Sequence, residues 1–194
     1  MSIRLALTSL SLLTALSLVA CGGGDGGTLT GPAAGAPPPS SAAATSSGST
    51  CGLPDFAASA LARVNQLRAG GADCGSSGRF ASTTPLAWSD KLTQAADAHS
   101  KDMAANNYFS HTSADGRSLA DRVSATGYAW SSLGENIAAG YPDVNAVIDG
   151  WVASPGHCAN LMAPGFTEVG LVCVPKAAGS TYSTYWTMDL ARAK

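Results

Sequence analysis

Hydrophobic residues in positions 51–194 recur first at the spacing of helices and then at the spacing of strands. Apolar residues three or four positions apart predict four helices, which begin at Phe56, after Ser89, after Gly116 and after Asp143. Two late segments, FTEVGLVCVP and TYSTYWTMDLA, are rich in β-branched and aromatic residues and predict strands joined by a turn at KAAGS. Helices first and a hairpin last predict an α+β fold, in which helices cover a small antiparallel sheet.

The second and fourth predicted helices each have one apolar face that we expect to be buried. On the second helix this face consists of Leu92, Ala95, Ala96, His99 and Met103. On the fourth helix it consists of Val144, Val147, Ile148 and Trp151. Since His99 lies among apolar positions, we interpret it as a hydrogen-bonded core histidine.

The first twenty residues have the pattern of an export signal. Arg4 precedes an uncharged apolar run from Leu5 to Val19, which is short for a membrane span of about 20 residues, so residues 1–20 are predicted to be a signal peptide. The run ends in LVAC, which resembles the lipobox of bacterial lipoproteins and implies a lipid on Cys21. Gly22 implies anchoring to the outer membrane, on its periplasmic or surface face. Cleavage without lipidation would instead give a secreted protein.

A linker separates the predicted anchor from a single domain. Residues 21–50 comprise the lipidated cysteine and a segment of mostly Gly, Ala, Pro, Ser and Thr, which cannot bury enough apolar surface to fold. Residues 51–194 have the length of one domain, which we expect to be monomeric. Loss of Arg4 with the signal peptide leaves 10 basic and 13 acidic residues, a net charge of −3, so nucleic acid is not an expected partner.

Four cysteines remain in the predicted domain. They are Cys51, Cys74, Cys158 and Cys173, and four is the number needed for two disulfides in an exported protein. Three pairings are possible from sequence alone. We favour Cys51–Cys74 and Cys158–Cys173 because each pair encloses a local unit. The spacing of the cysteines does not resemble that of a zinc ribbon.

Five separated motifs occur in an order that resembles a known family. They are PLAWSDKLTQAADAHSKDM, NYFSHTSADGRSLADRV, GYAWSSLGENIAAGY, VIDGWVASPGHCANLMAPGFTEVGLVCV and YWTMDLA. From about Phe56 to Leu190 the chain is similar to the CAP superfamily (cysteine-rich secretory, antigen 5 and pathogenesis-related 1 proteins), also called the SCP domain, and especially to its bacterial single-domain members. The resemblance implies an α-β-α sandwich, which agrees with the predicted order of helices and strands.

The same resemblance implies a cleft lined by two histidines and two acidic residues, which binds a divalent metal in some members. The histidine of FSH is His111, and the glutamate of GEN is Glu135. Eukaryotic members place the other two groups where this chain has a serine and a glycine. His157 of SPGH and Glu168 of FTE are therefore the candidates for the remaining positions.

The four candidates have alternative interpretations when the residues are considered alone. His111 lies in a turn-rich segment, where loops often carry functional groups, but it could also cap a turn. Glu135 lies outside every predicted helix and strand, and is either a ligand or an organiser of hydrogen bonds. His157 follows a predicted Pro-Gly turn and could be a turn residue, while Glu168 could be a solvent-facing charge on a strand.

Ligand binding, rather than catalysis, is the leading functional expectation. No cofactor is required, but His111 and His157 are candidates to hold Zn²⁺ or another divalent cation, and the cleft could instead take a small, lipid-like or other envelope ligand. One alternative is a metal-assisted hydrolase acting on peptide or cell-wall material, although His-Glu-x-x-His and Gly-x-Ser-x-Gly motifs are absent. The other alternative is a structural or adhesin-like module without an active site.

Overall fold

The computed structural model describes residues 48–194. The predicted signal peptide, the lipidation site Cys21 and the linker up to residue 47 lie outside the described residues. Within residues 48–194, no helix is long and apolar enough to cross a membrane.

Five α-helices lie within the described residues, and four of them occur where the hydrophobic spacing predicted helices. They are α1 (Phe56–Gly70), α2 (Asp90–Asn106), α3 (Leu119–Ala125), α4 (Val144–Val152) and α5 (Pro155–Met162). Asp143 caps α4 as predicted, because its carboxylate accepts a hydrogen bond from the backbone N–H of Ala146 at 2.9 Å. Ser89 precedes α2, but its side chain forms no capping hydrogen bond.

Helix α5 replaces the turn that we predicted at Pro155-Gly156. Pro155 occupies the start of this helix, where a backbone N–H would have no partner within the helix and where the fixed φ of proline favours helical geometry. His157 is consequently the third residue of a helix and not a turn residue. The helix is only eight residues long, which is too short to establish a clear hydrophobic period.

Six strands form two sheets in the part of the chain that the structure describes. They are β1 (Ala72–Asp73), β2 (Arg79–Phe80), β3 (Ala87–Trp88), β4 (Trp130–Ala139), β5 (Glu168–Pro175) and β6 (Thr184–Ala193). The main sheet has the order β3-β5-β6-β4, in which β3 runs parallel to β5 and the other pairs are antiparallel. Strands β1 and β2 form a separate antiparallel pair.

Strand β4 has no counterpart among the predicted elements. Glu135, which we placed outside any helix or strand, lies in the middle of this ten-residue strand. Four successive residues, from Glu135 to Ala138, are buried. Because helices cover both faces of the sheet, the strand lacks the alternation of polar and apolar residues that would have revealed it.

Helices pack on both faces of the main sheet, which confirms the predicted α+β fold and its α-β-α sandwich. Helices α2 and α3 cover one face, while α1, α4 and α5 cover the other. The apolar faces predicted for α2 and α4, including His99, are buried. Gly170 of β5 permits a close approach of α2, since a Cβ at this position would lie 2.2 Å from the backbone nitrogen of Thr93.

Two disulfides are present as expected, but the predicted pairings Cys51–Cys74 and Cys158–Cys173 are wrong. Cys51 is bonded to Cys173 and Cys74 to Cys158, with Cα–Cα distances of 5.2 Å and 5.5 Å. The backbone N–H of Cys51 donates to the carbonyl of Cys173 at 3.0 Å, and that of Cys173 donates to the carbonyl of Ser49 at 2.9 Å. The segment before α1 therefore lies along β5. This contact brings Cys51 next to Cys173, although the two residues are 122 positions apart in sequence.

Candidate functional site

The loop after α2 carries His111 and is fixed at both of its ends. Asn107 ends α2 in the left-handed conformation, with φ of 51°. The Asp102 carboxylate accepts hydrogen bonds from the Tyr108 hydroxyl and from the backbone N–H of Ala114, the latter at 2.9 Å. Within this fixed loop the side chain of His111 is 57% exposed. The sequence-predicted histidine therefore lies at the surface on a rigid support.

Buried His99 also supports the loop, from beneath. Its Nε2–H donates to the carbonyl of Ser110 at 2.8 Å, and the Ser113 hydroxyl lies 3.4 Å from Nδ1. Burial lowers the pKa of His99, so the ring is neutral at pH 7 and holds its proton on Nε2. His99 is the core histidine that its position in the apolar stripe of α2 predicts.

Glu135 orients the ring of His111. This nearly buried carboxylate accepts a hydrogen bond from His111 Nδ1 at 2.7 Å and an ion-paired hydrogen bond from the Arg122 guanidinium at 2.5 Å. Burial alone would raise the pKa of Glu135, but the bond from His111 and the charge of Arg122 lower it below its ordinary value. An ionised carboxylate only accepts, so His111 carries its proton on Nδ1 and leaves Nε2 available.

Arg122 of α3 connects this carboxylate to the loop. Its side chain is 1% exposed and also donates to the backbone carbonyls of His111 and Arg117, at 3.0 Å and 3.2 Å. Ser118 and Asp121 form a capping box that fixes the start of α3. Arg122 was not predicted to belong to the site, because an arginine within a short helix of mixed composition resembles a surface residue.

Asp189 of β6 is a second acidic group at the site and was not predicted from the sequence. It lies directly opposite Glu135 in the β4–β6 ladder and is fully buried. Neither of its oxygens accepts a hydrogen bond from a donor in residues 48–194, and the side chain that it faces is the Glu135 carboxylate. Burial, and after it the negative charge of Glu135, raises the pKa of Asp189 well above its ordinary value, so its carboxyl group is neutral at moderately acidic pH. Its signal in the sequence is a lone acid within the otherwise apolar strand pattern of YWTMDLA.

His157 reaches the same region from the opposite face of the sheet. Asn136, the residue after Glu135 in β4, donates from its side-chain amide to the carbonyl of His157 at 3.1 Å. Asn160 donates to the side-chain oxygen of Asn136 at 2.9 Å and holds α5 against the strand. Successive residues of a strand point to opposite faces, so Glu135 and Asn136 together position one histidine on each side of β4.

The two candidate histidines are close enough to interact electrostatically. Burial lowers the pKa of His157, and the proximity of His111 lowers it further because a protonated His111 would repel a second positive charge. β4 is the terminal strand in the order of the main sheet, so no other strand of the described residues pairs with its outer edge. Because burial lowers its pKa, His157 is neutral at pH 7 and has a nitrogen lone pair available for a ligand.

Glu168, the fourth predicted site residue, lies elsewhere. It begins β5, which is separated from β4 by β6. Its neighbour is the Tyr128 hydroxyl; burial and the negative charge of Glu168 raise the pKa of this tyrosine to about 12. The structure therefore brings His111 and Glu135 into contact, with His157 close by, and leaves Glu168 apart from them.

The donor set limits the chemistry of the site. Both oxygens of Glu135 are engaged, by His111 and Arg122, and Asp189 is buried behind it. Within residues 48–194 no group of three or more histidine, cysteine or acidic side chains is placed to hold a metal ion. The site can therefore offer two imidazoles to a ligand, one of them oriented by a buried carboxylate.

Known proteins are similar to much of the chain. A sequence model described as the cysteine-rich secretory protein family, CAP, matches residues 61–190. An uncharacterized membrane protein of Bacillus subtilis strain 168, YlbC, is 40% identical over 86 residues, which are 44% of this chain and 25% of YlbC. The uncharacterized protein YkwD of the same organism is 37% identical over 87 residues, 45% of this chain and 34% of YkwD. The chain thus matches only about a quarter and a third of these relatives.

Solved structures show the same fold. The structure of an extracellular protein containing an SCP domain, from Bacillus anthracis strain Ames, matches with 36% identity and a TM-score of 0.50 over 57% of this chain and 34% of that chain. An outer surface protein from Borrelia burgdorferi matches with a TM-score of 0.52 over 58% of this chain and 80% of that chain. At 19% identity, the second similarity is one of fold alone.

Proposed function

This chain belongs to the cysteine-rich secretory protein (CAP) family, and on that premise we propose that it is an exported domain of the bacterial envelope that binds a ligand between His111 and His157. Two disulfides between distant parts of the chain support export, since such bonds persist in oxidising compartments. The similarity to an extracellular SCP-domain protein supports the same location.

The observation that carries the proposed ligand site is the bond from His111 Nδ1 to Glu135. Metal-binding histidines commonly donate their second ring N–H to a carboxylate, which fixes the ring and makes the other nitrogen a better ligand. His111 has this arrangement, and His157 supplies a second, neutral imidazole. We therefore propose that the pair binds a divalent cation such as Zn²⁺ and that water or an envelope ligand fills its remaining positions.

Calorimetric titration with Zn²⁺ tests this proposal on the mature chain carrying Cys21→Ser. We expect the parent to bind one zinc per chain at pH 7.5. A His111→Ala, His157→Ala double variant should bind zinc at least about tenfold more weakly than the parent. The parent itself should bind zinc more weakly below about pH 6.5, because protonated histidines cannot act as ligands. Asp115→Asn, which alters an exposed carboxylate of the same loop region, is the matched control and should bind like the parent. Equal zinc affinity in the parent and the double variant would contradict the site.

A lipid anchor on Cys21 is the second part of the proposal. It is supported by the LVAC motif and by the segment that follows, whose composition is mostly Gly, Ala, Pro, Ser and Thr. Cys21→Ser should move the protein from the membrane fraction to the soluble fraction while the domain remains folded. Mass spectrometry of the parent should show an acylated N-terminal cysteine. A parent protein without acyl mass would contradict the anchor and leave secretion as the route.

A further inference from the structure

Two aromatic rings lie exposed beside the His111 site. Phe109 is 45% exposed and Tyr182 is 40% exposed, whereas the other large hydrophobic side chains of residues 48–194 are covered to a greater extent. Their ring centroids are 5.9 Å apart with an interplanar angle of 62°. Tyr182 in turn packs edge-to-face on buried Tyr185, at 5.8 Å and 79°. We call Phe109 and Tyr182 the aromatic ledge.

Hydrogen bonds hold the two segments of the aromatic ledge together. The side-chain oxygen of Asn107, in the loop after α2, accepts bonds from the backbone N–H and the hydroxyl of Thr181, at 2.8 Å and 2.9 Å. Thr181 belongs to the connection between β5 and β6 and directly precedes Tyr182. The aromatic ledge is therefore formed before any ligand arrives, which reduces the entropy lost on binding.

The two segments that carry the aromatic ledge are polar and contain few charged residues. Residues 107–112 and the connection 176–183, which carry its two rings, contain no aspartate, glutamate or arginine and a single lysine, Lys176. They provide hydroxyl and amide groups instead, with exposed Ser110 and Thr181 next to the rings in sequence. Phe109 precedes His111 by two residues in the same fixed loop, so the aromatic ledge borders the proposed ligand site.

We infer that the aromatic ledge is a binding subsite for a neutral sugar ring of an envelope glycan. One face of a pyranose ring presents C–H groups with slight positive charge, and these complement the negative face of an aromatic ring. Sugar hydroxyls can pair with hydroxyl and amide groups, which the two segments supply. An anionic membrane surface would instead be recognised by clustered lysine and arginine, which both segments lack.

This inference deepens the proposed function, since it rests on His111 lying at a ligand site and gives the class of ligand that reaches it. The test uses the mature chain with Cys21→Ser and a neutral β-linked tetramer of N-acetylglucosamine, followed by ¹H–¹⁵N NMR titration. We expect shifts in residues 107–112 and 177–184, and at least about tenfold weaker binding in Phe109→Ala and in Tyr182→Ala. Tyr182→Phe keeps the ring and should bind like the parent.

Several outcomes would overturn the subsite. The first is that the parent does not bind the tetramer at millimolar concentration. The second is that the parent and both alanine variants bind it equally. The third is that the parent binds phosphatidylcholine–phosphatidylglycerol vesicles and Phe109→Ala abolishes that binding. Zinc titration of Phe109→Ala distinguishes failure of the subsite from failure of the proposed cation site, because the zinc affinity of this variant should equal that of the parent. Loss of tetramer binding with intact zinc binding supports the subsite, and the unchanged melting temperature of each variant shows that its fold is intact.

Discussion

Replacing Asp189 by asparagine should stabilise the domain at neutral pH. The change keeps the shape of the side chain but removes a fully buried carboxyl group. This group faces the Glu135 carboxylate and accepts no hydrogen bond from a donor among the described residues. Asparagine cannot ionise, and its amide can donate to the Glu135 carboxylate. The variant therefore avoids placing a second negative charge in a buried site.

The size of the effect follows from proton linkage. The folded-state pKa of Asp189 lies well above its value of about 3.9 in the unfolded chain, because of burial and then of the negative charge of Glu135. Between these two pKa values the folded state holds a proton that the unfolded state has released, so rising pH favours unfolding. The parent should lose about 1.4 kcal/mol of stability per pH unit in this window from this group. Asp189→Asn removes that loss. The free energy of unfolding of the variant should therefore exceed that of the parent by about 1.4 kcal/mol more for each pH unit in this window.

Urea unfolding at pH 4.5, 5.5 and 6.5, followed by the fluorescence of the buried tryptophans Trp151 and Trp186, measures this advantage. Asp143→Asn is the matched control, because asparagine caps helix α4 as well as aspartate does and the group is exposed. The free energy of unfolding of this control should change with pH in parallel with that of the parent. A free-energy difference between Asp189→Asn and the parent that stays constant over this range would refute the reasoning.

Two further substitutions test the packing around the site. Arg122→Met leaves the buried carboxylate of Glu135 without its cation. Urea titration should show that the free energy of unfolding falls by about 3–5 kcal/mol. A loss below about 1 kcal/mol would contradict the role of the ion pair. Gly170→Ala places a Cβ against the backbone of Thr93 and should destabilise the domain by at least about 1–3 kcal/mol. Gly70→Ala is the control, because a Cβ there has no neighbour within 4 Å, and it should leave the stability unchanged. Equal melting temperatures of the two variants would contradict this packing.

Local patterns were sufficient to predict the elements that have one clear apolar face. Helices α2 and α4 bury the residues that their spacing predicted, and the late strands β5 and β6 form the predicted hairpin. Strand β4 was missed because it is covered on both faces, and α5 because it is short and begins with proline. The disulfide pairing failed for a related reason: the proximity of Cys51 to Cys173 arises from the whole fold and not from local sequence.

The candidate site was predictable only where a motif carried it. His111 and Glu135 were identified through the family resemblance, and the structure joins them by a hydrogen bond. Arg122 and Asp189 were not identified, because sequence alone does not distinguish a buried charged residue from an exposed one. The signal at Asp189 is its position as a lone acid in the apolar segment YWTMDLA, where strand alternation places it on the same face as Thr187 and Ala191, both of which are buried.

The central claim is that His111 and His157 bind one ligand together, and NMR of the histidine ring nitrogens tests it most directly. In the ¹⁵N-labelled mature chain with Cys21→Ser, one equivalent of Zn²⁺ at pH 7.5 should change the ring signals of His111 and His157 in parallel. The signals of His99, whose ring is buried and bonded to the carbonyl of Ser110, should stay unchanged. Zinc that alters only one of the two site histidines, or neither, would contradict a shared site.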